Sequence, residues 1–208
     1  MVPGGGTDLR AAALYAALTE FERLAALAPL APGLADRIAV ADAVDARYQR
    51  LRAELDRLGI DGAVPPDLSA AADGAAKAID DARRRTATAD WWEGVVAADL
   101  CGVLSDELFA ALGEDEAARE PDASDDAVSD EARAAVPVLP IARISAALAA
   151  DPVLAARLAL WGRRLAGESI VLARIFGADR YPRVADRLAL AHSARLVEIG
   201  LARPAPAR

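Results

Sequence analysis

Glu168 is the residue of this chain whose position most suggests chemistry. Large apolar side chains recur from Leu154 to Ile175 at steps of three and four residues, the spacing of one helix face, and Glu168 takes the place of one of them. A carboxylate in an apolar seam is costly unless it is protonated, paired or metal-bound. The pattern therefore leaves three interpretations: a metal ligand or acid–base group, one half of an ion pair, or a side chain that reaches solvent.

His192, the only histidine in the chain, is the second candidate. It lies with Leu188, Leu196 and Ile199 at steps of four, four and three residues, so we expect it to face the interior of a helical bundle. A single histidine on an apolar helix face is more often a hydrogen-bonded core residue than a ligand. Without a second imidazole, His192 and nearby carboxylates would suit a weakly bound hard cation at best.

The remaining residues do not support nucleophilic catalysis. Cys101 is the only cysteine, which excludes an intramolecular disulfide and a multi-thiolate metal site. The serines have no candidate base other than His192, and no strand precedes a glycine-rich phosphate loop. We therefore predict no catalytic residue and no cofactor.

Composition disfavours nucleic acid as a partner. The net charge is −8, so the overall field opposes a phosphate backbone. The basic run 83–85 is flanked by Asp80 and Asp81, which favours a solvated patch over an RNA contact. Trp91 and Trp92 are interpreted as packing residues rather than as base-stacking residues.

The same composition predicts one all-α domain over residues 1–208. Hydrophobic residues make up 54% of the chain but aromatic residues only 4%, so the apolar content is largely Ala, Leu and Val, and Ala and Leu favour helix. No apolar stretch reaches the ~18 residues of a membrane span, and the N-terminal segment lacks the regions of a signal peptide. We expect a cytoplasmic protein that does not bind membranes.

Glycine and proline delimit about six helices in this domain. They are predicted over residues 7–27, 34–58, 90–113, 141–150, 151–177 and 182–200, with a short helix as an option around 67–85. Asp90 and Glu93 have the spacing of a capping box at the start of the third helix. Residues 1–6 and 202–208 are expected to be flexible, and residues 114–131 to form an acidic loop.

Apolar stripes predict which helix faces are buried. In the first helix the expected face contains Leu14, Leu18, Phe21 and Ala25. The second helix has the clearest stripe, which contains Leu34, Ile38, Ala41, Val44, Tyr48, Leu51, Leu55 and Leu58. The stripes of the second and fifth helices are compatible with a core and with a dimer seam alike. The sequence is therefore compatible with a homodimer and with a protein partner bound to these apolar faces.

Four stretches together carry a resemblance to a known bacterial group: YAALTEFERLA (15–25), DWWEGVVAADL (90–100), DPVLAARLALWGRRLAGES (151–169) and LALAHSARLVEIGL (188–201). The chain resembles the ferritin-like-fold proteins classed with the methylthio-isopentenyl-adenosine tRNA hydroxylases. The resemblance implies an antiparallel ferritin-like helical bundle. It also implies, in better-preserved relatives, a di-iron centre built from carboxylates on two helices and Glu-x-x-His pairs on two others.

This chain departs from the di-iron pattern at the positions that the resemblance assigns to ligands. These positions are Ala17, Val44, Arg47, Gly102 and the region around Arg133 and Val136. Since the chain has one histidine, two Glu-x-x-His pairs cannot form, and we predict that no conventional di-iron site exists. Glu168 and His192 are then the remnants of such a site. We expect the Arg47 guanidinium to replace the metal charge as the ion-pair partner of Glu168.

The expected function is therefore that of a non-catalytic, metal-free ferritin-like bundle, a structural or interaction protein. The alternative is a tRNA hydroxylase-like oxidoreductase with iron in a rebuilt site, with tRNA as its partner. That site would use Glu20, Asp42, Asp45, Asp99, Glu168 and His192. A third option is an apolar ligand held in the vacated metal cavity.

Overall fold

The computed structural model of the chain describes residues 5–57, 66–119, 138–177 and 182–203. These residues form α-helices and no strand, which confirms the predicted all-α class. The helices are α1 (Gly5–Leu27), α2 (Leu34–Arg57), α3 (Pro66–Arg85), α4 (Trp91–Arg119), α5 (Ile141–Ala150), α6 (Pro152–Gly177) and α7 (Pro182–Glu198). A 3-10 turn, Ala28–Leu30, follows α1.

Local signals in the sequence account for where several helices begin and end. Asp151 Oδ1 accepts hydrogen bonds from the backbone N–H groups of Val153 (2.9 Å) and Leu154 (3.0 Å), which caps α6. At α4, Asp90 accepts from the Glu93 N–H, while the Glu93 carboxylate accepts from the Ala89 N–H. In a standard capping box the Glu93 carboxylate would accept from the N–H of Asp90. Here it accepts from the N–H of Ala89, one residue earlier.

Gly200 ends α7 in a conformation that glycine adopts at low cost. Its φ is +85°, the left-handed region. The Leu201 N–H donates to the Leu196 carbonyl at 2.7 Å, and the Gly200 N–H donates to the Val197 carbonyl at 3.0 Å. These two bonds are the 6→1 and 5→2 bonds of a Schellman motif.

Helices α1 and α4 form the centre of the bundle, because α1 packs most extensively against α4 and then against α3. Helices α6 and α7 pack on each other and on the other side of α4. Helix α2 contacts the bundle mainly through α1. None of the described helices combines the length and the hydropathy that a membrane crossing requires.

The predicted buried face of α1 is wrong. Leu18 is exposed and Ala25 is also at the surface, whereas Leu9, Ala13, Ala16, Glu20, Leu24 and Leu27 are buried. The reason is that α1 packs against α4 and α3 through alanines, which allow helices to approach closely. A buried face predicted from large apolar side chains does not include such alanines.

The sequence left the α2 stripe open as a core face or a dimer seam, and the structure places much of the stripe outside the core. Leu34, Ile38 and Tyr48 are more than half exposed, while the buried residues are Asp36, Val40, Ala43 and Arg47. The helix is turned so that Arg47 meets carboxylates on α1 and α4, a tertiary interaction that outweighs burial of the larger apolar stripe.

Some predicted boundaries also change. Helix α4 continues past Gly113 to Arg119, and the optional helix around 67–85 is a full helix, α3. Helix α1 begins at Gly5 rather than at Thr7. The rest of the acidic loop, residues 1–4, residues 204–208, Leu58, Arg133 and Val136 lie outside the described residues.

Candidate functional site: the polar layer of the bundle

Two apolar clusters fill the described interior, and a polar layer separates them. In α4, buried residues from Trp91 to Leu100 belong to the first cluster, and those from Val103 to Leu112 belong to the second. The other long helices change cluster at the same level, for example between Leu165 and Leu172 in α6. We define the polar layer by the buried polar residues at this level: Thr19, Glu20, Arg47, Thr86, Asp99, Ser105, Ser169, His192 and Arg195.

Arg47 is at the centre of an ionic network between α1, α2 and α4. Its side chain is only 4% exposed, and its Nε lies 2.5 Å from Glu20 Oε1. This is an ion contact without hydrogen-bond alignment, since Nε has no hydrogen-bond partner among the described residues. Arg47 Nη1 donates to Asp106 Oδ1 at 2.9 Å and Nη2 to Oδ2 at 3.4 Å. Arg50 Nη1 also donates to both Asp106 oxygens, at 3.0 and 3.1 Å.

Gly102 provides the space in which the Arg47 guanidinium lies. A Cβ at Gly102 would collide with Arg47 Nη2 and would lie 2.8 Å from Glu20 Oε1. Ser105, one turn further along α4, donates its hydroxyl either to Glu20 Oε2 at 3.1 Å or to the Gly102 carbonyl at 3.0 Å. A glycine at this position of α4 is thus required for the arginine to reach both carboxylates.

The carboxyl group of Glu20 has an unusual acidity in this setting. Its pKa is raised from 4.5 to about 7, chiefly by burial; the charge of Arg47 opposes the shift and the negative charge of Asp106 adds to it. Protonation of Glu20 would leave Asp106 as the remaining carboxylate partner of Arg47.

A second buried ion pair links α4 to α7 in the same layer. Arg195 Nε and Nη2 donate to the two Asp99 oxygens at 2.7 and 2.6 Å, a bidentate arrangement in which both side chains are buried. Arg195 Nη1 also donates to Glu198 at 2.5 Å at the surface. The carboxylates hold the pKa of Arg195 above its ordinary value, although burial opposes this.

His192 lies one turn from this pair on α7, 1% exposed, between Leu188 and Leu196. It faces the interior, as its spacing predicts. Neither ring nitrogen has a hydrogen-bond partner among the described residues. Burial lowers its pKa from 6.5 to about 4, so the ring is neutral at physiological pH.

A small cavity of about 30 Å³ lies in the layer between α1, α3, α4 and α6. Thr19 and Ser169 line it together with Arg23 and Cys101. Burial raises the pKa of the Cys101 thiol, which makes it a poor nucleophile. The cavity has room for about one water molecule, so it is too small for the apolar ligand considered from the sequence.

The predicted ion pair between Glu168 and Arg47 is wrong. Glu168 accepts hydrogen bonds from Arg85 Nε at 3.0 Å and Nη2 at 2.7 Å, and its side chain is 21% exposed at the edge of the bundle. The Arg85 hydrogen bonds lower the pKa of Glu168, and burial opposes them. Glu168 thus joins α6 to the end of α3. The C-terminus of α3, and not α2, lies next to α6 at this point.

The basic run 83–85 is used in contacts within the chain. Arg83 pairs with Glu22, Arg84 with Asp81 and Arg85 with Glu168. Arg83 and Arg84 also line an open groove of about 530 Å³ between α1, α3 and the start of α4. Of the two tryptophans, Trp91 is buried in the first cluster and Trp92 packs against it, as a packing role predicts.

The residues of the layer do not fit a di-iron centre. The six residues of the rebuilt site are not brought together: Glu20 contacts Arg47, Asp99 contacts Arg195, Glu168 contacts Arg85, and Asp42 and Asp45 are exposed on α2. No group of three or more His, Cys, Asp or Glu side chains among the described residues could hold a metal ion.

The positions that the resemblance assigned to lost ligands divide into two kinds. Arg47 and Gly102 are in direct proximity, at the centre of the network. Ala17 is buried in the second cluster, and Val44 is half-buried against the first. No ligating group is present at any of these four positions.

Sequence reasoning missed Glu20, Asp106 and Asp99 as partners of the buried arginines. For Glu20 a signal existed: it shares a face of α1 with Ala13, Ala16, Leu24 and Leu27 at steps of three and four residues. A carboxylate on that face indicates a buried partner in the same way as Glu168 did. Nothing in the sequence indicated that Asp106 would face Arg47, because the pairing depends on how α2 is turned.

Comparison with known proteins identifies the fold family. A family model described as a ferritin-like domain of actinomycetes matches residues 4–192. No curated protein has significant similarity to the chain. The matched region contains the Arg47 network, Asp99 and His192, and it ends just before Arg195. The chain therefore belongs to the actinomycete ferritin-like domain family.

Proposed function

We propose that this ferritin-like bundle is a non-catalytic structural or interaction protein whose centre is held by ion pairs instead of a metal centre. One observation carries the proposal: the Arg47 guanidinium lies beside Gly102 and binds the carboxylates of Glu20 and Asp106. Carboxylate oxygens are the kind of ligand that a di-iron site needs, and at this level of the bundle they are bound to a guanidinium.

The electrostatics support this proposal. A buried guanidinium and a divalent cation compete for the same carboxylates, and at contact distance in a low-dielectric interior they repel each other strongly. Arginine keeps its charge under all physiological conditions, so it cannot yield the site by deprotonation. A metal could bind these carboxylates only if Arg47 gave up both of them, which would leave its guanidinium without either counter-charge.

The distribution of arginines also disfavours the tRNA hydroxylase-like alternative. The basic run 83–85 would be the first candidate for a phosphate contact, but all three of its side chains are bound to carboxylates of the chain. Release of these arginines to nucleic acid would leave Glu22 and Glu168 without their partners in a protein of net charge −8, while Asp81 would keep Lys77.

Iron analysis tests the proposal. The chain would be produced with added iron and purified without chelators, and its iron content would be measured by mass spectrometry for the wild type and for Glu20→Gln. We expect iron far below one atom per chain in both proteins. Stoichiometric iron in the wild type that is lost in Glu20→Gln or Glu168→Ala would overturn the proposal and support the oxidoreductase alternative.

A further inference from the structure

Helix α6 has an outer face that is both apolar and basic. Val153, Leu160, Val171 and Ile175 are between 46% and 78% exposed, and Gly167 lies on the same face. Arg163, Arg164 and Arg174 are exposed there and have no ion pair among the described residues. Glu168, the one carboxylate between residues 152 and 176, lies at the edge of this face, where it is bound to Arg85 and also attracted by Arg164. In an acidic protein, this face is complementary to a partner that supplies negative charge.

Helix α2 has an outer face of the complementary kind. Leu34, Ile38 and Tyr48 are between 52% and 74% exposed. Asp42 and Asp45 are exposed beside them and have no ion pair among the described residues. Other charges on the face are Arg37 near its start and the Arg52–Asp56 pair at its end.

Pairing of two α6 faces with each other is electrostatically unfavourable. It would bring together Arg163, Arg164 and Arg174 of both copies, whereas Arg157 of each copy is already paired with Asp90 and Glu93. Pairing of two α2 faces likewise opposes Asp42 and Asp45 to their own copies. A contact between α2 of one copy and α6 of another matches opposite charges and covers both apolar faces.

The residue spacing of the two faces supports this contact. The stripes on the two faces have the same spacing, with steps of four, three, four and three residues. The α2 stripe consists of Leu34, Ile38, Ala41, Asp45 and Tyr48, and the α6 stripe consists of Val153, Arg157, Leu160, Arg164 and Gly167. If the helices run parallel with Asp45 opposite Arg164, then Leu34 meets Val153 and Ala41 meets Leu160. A Cβ at Gly167 would meet nothing within 4 Å, so there is space opposite Tyr48 for its ring.

The charges beside the two stripes favour a parallel orientation. At 100° per residue, Asp42 lies on one side of the α2 stripe and Arg163 on the opposite side of the α6 stripe. When two parallel helices face each other, these two sides coincide. An antiparallel pair would separate them.

We propose that this chain associates head to tail, with the outer face of α2 on one copy bound to the outer face of α6 on the next. The inference rests on the proposed role as an interaction protein and names the partner as a second copy of the same chain. Because the two faces differ, the contact is heterologous and generates rings or open chains rather than a closed two-fold dimer.

Sedimentation velocity over a range of protein concentrations tests this association. The wild type is expected to sediment as species that grow with concentration. Arg164→Glu and Asp45→Arg should each weaken self-association at least about tenfold, the order of one lost charge contact. The Arg164→Glu/Asp45→Arg double variant should restore it. Arg183→Glu and Asp186→Arg, both exposed on α7, are matched controls that should leave it unchanged, and circular dichroism verifies folding.

A mixture of the two single variants provides the sharpest test. Arg164→Glu keeps a native α2 face and Asp45→Arg keeps a native α6 face, and the two reversed faces are complementary to each other, so an equimolar mixture should regain the self-association that each single variant lacks. Wild type that stays monomeric at all concentrations, association that survives each single reversal, or a mixture that remains monomeric would each overturn the proposal. The iron analysis is unaffected by these outcomes, so failure of this contact and failure of the metal-free function are separable.

Discussion

Glu20 and His192 are buried in the same polar layer, but burial shifts their pKa values in opposite directions. Burial disfavours the charged form of each group, which is the deprotonated form of glutamate and the protonated form of histidine. The pKa of Glu20 rises to about 7 and that of His192 falls to about 4. Their effects on stability therefore have opposite dependence on pH over an overlapping range.

For Glu20, the folded state holds the proton more tightly than the unfolded state. Its contribution to the free energy of unfolding is present below pH 4.5 and is lost as the pH rises towards 7. A shift of this size corresponds to about 3 kcal/mol. In His192→Leu, where the histidine no longer compensates, we expect stability to increase on acidification from pH 7 to 4.5, as measured by urea unfolding. A decrease over this range would contradict the raised pKa of Glu20.

For His192, the folded state binds the proton less tightly than the unfolded state. Its contribution is present above pH 6.5 and is lost as the pH falls towards 4, again by about 3 kcal/mol. In Glu20→Gln we expect stability to decrease on acidification through this range. The Glu20→Gln/His192→Leu double variant is the control and should show neither slope between pH 4.5 and 7. A Glu20→Gln profile that is flat would show that the His192 ring has a partner that stabilises its charged form.

At the scale of elements, ion pairs join the helices, and their burial decides how much each contributes. Asp99 and Arg195 are both buried, so removal of one partner leaves an uncompensated charge in the interior. Glu168 and Arg85 are more exposed, with side chains 21% and 48% accessible, so solvent screens their interaction.

These two pairs should respond very differently to neutralisation of the carboxylate. Asp99→Asn is expected to lower the free energy of unfolding by about 3–5 kcal/mol, the cost of breaking a buried pair. Glu168→Gln should lower it by less than about 1 kcal/mol, as for other surface pairs. Denaturant unfolding of both variants beside the wild type provides the comparison. Equal losses would show that burial does not distinguish the pairs.

The end of α7 depends on a single backbone conformation. Gly200→Ala is expected to destabilise the protein by about 1 kcal/mol, because alanine is disfavoured at a φ of +85°. Space is not the cause, since the nearest atom to an added Cβ is Leu148 Cδ1 at 3.6 Å. Gly74→Ala, in the middle of α3 and open to solvent, is the control and should stabilise or leave stability unchanged. A neutral Gly200→Ala would contradict the Schellman termination.

At the scale of the whole molecule, two apolar clusters share one set of helices. Helices α1, α4, α6 and α7 each contribute to both clusters, so neither cluster can lose its packing without disturbing the helices of the other. The polar layer between them is crossed by continuous helix rather than by a linker.

We therefore expect thermal unfolding in one cooperative transition. The calorimetric enthalpy should equal the van't Hoff enthalpy, the criterion for two-state behaviour. Weakening of the layer by Asp99→Asn should lower the midpoint without splitting the transition. Two resolved transitions in the wild type would show that the clusters are independent units joined at the layer.

The sequence by itself determined the helical class and many of the helix boundaries. Pro140, Asp151 and Pro152, together with Gly177 and Pro182, act through local geometry and capping, so their effect does not depend on the rest of the fold. The resemblance carried by residues 151–169 and three shorter stretches led to the ferritin-like fold, which the family match supports. The single histidine argued against a conventional di-iron site at the same stage.

Only the tertiary structure decided which faces of α1 and α2 are buried and which charges meet. Leu34, Ile38 and Tyr48 form the clearer stripe, yet α2 turns Arg47 inward because Glu20 and Asp106 lie on the neighbouring helices. Glu168 is one half of an ion pair, one of the interpretations left open by the sequence, but its partner is Arg85, 83 residues away in the chain, and not Arg47. Helix formation depends on neighbours within one or two turns, whereas ion-pair partners depend on the rotation and packing of whole helices, which periodicity does not encode.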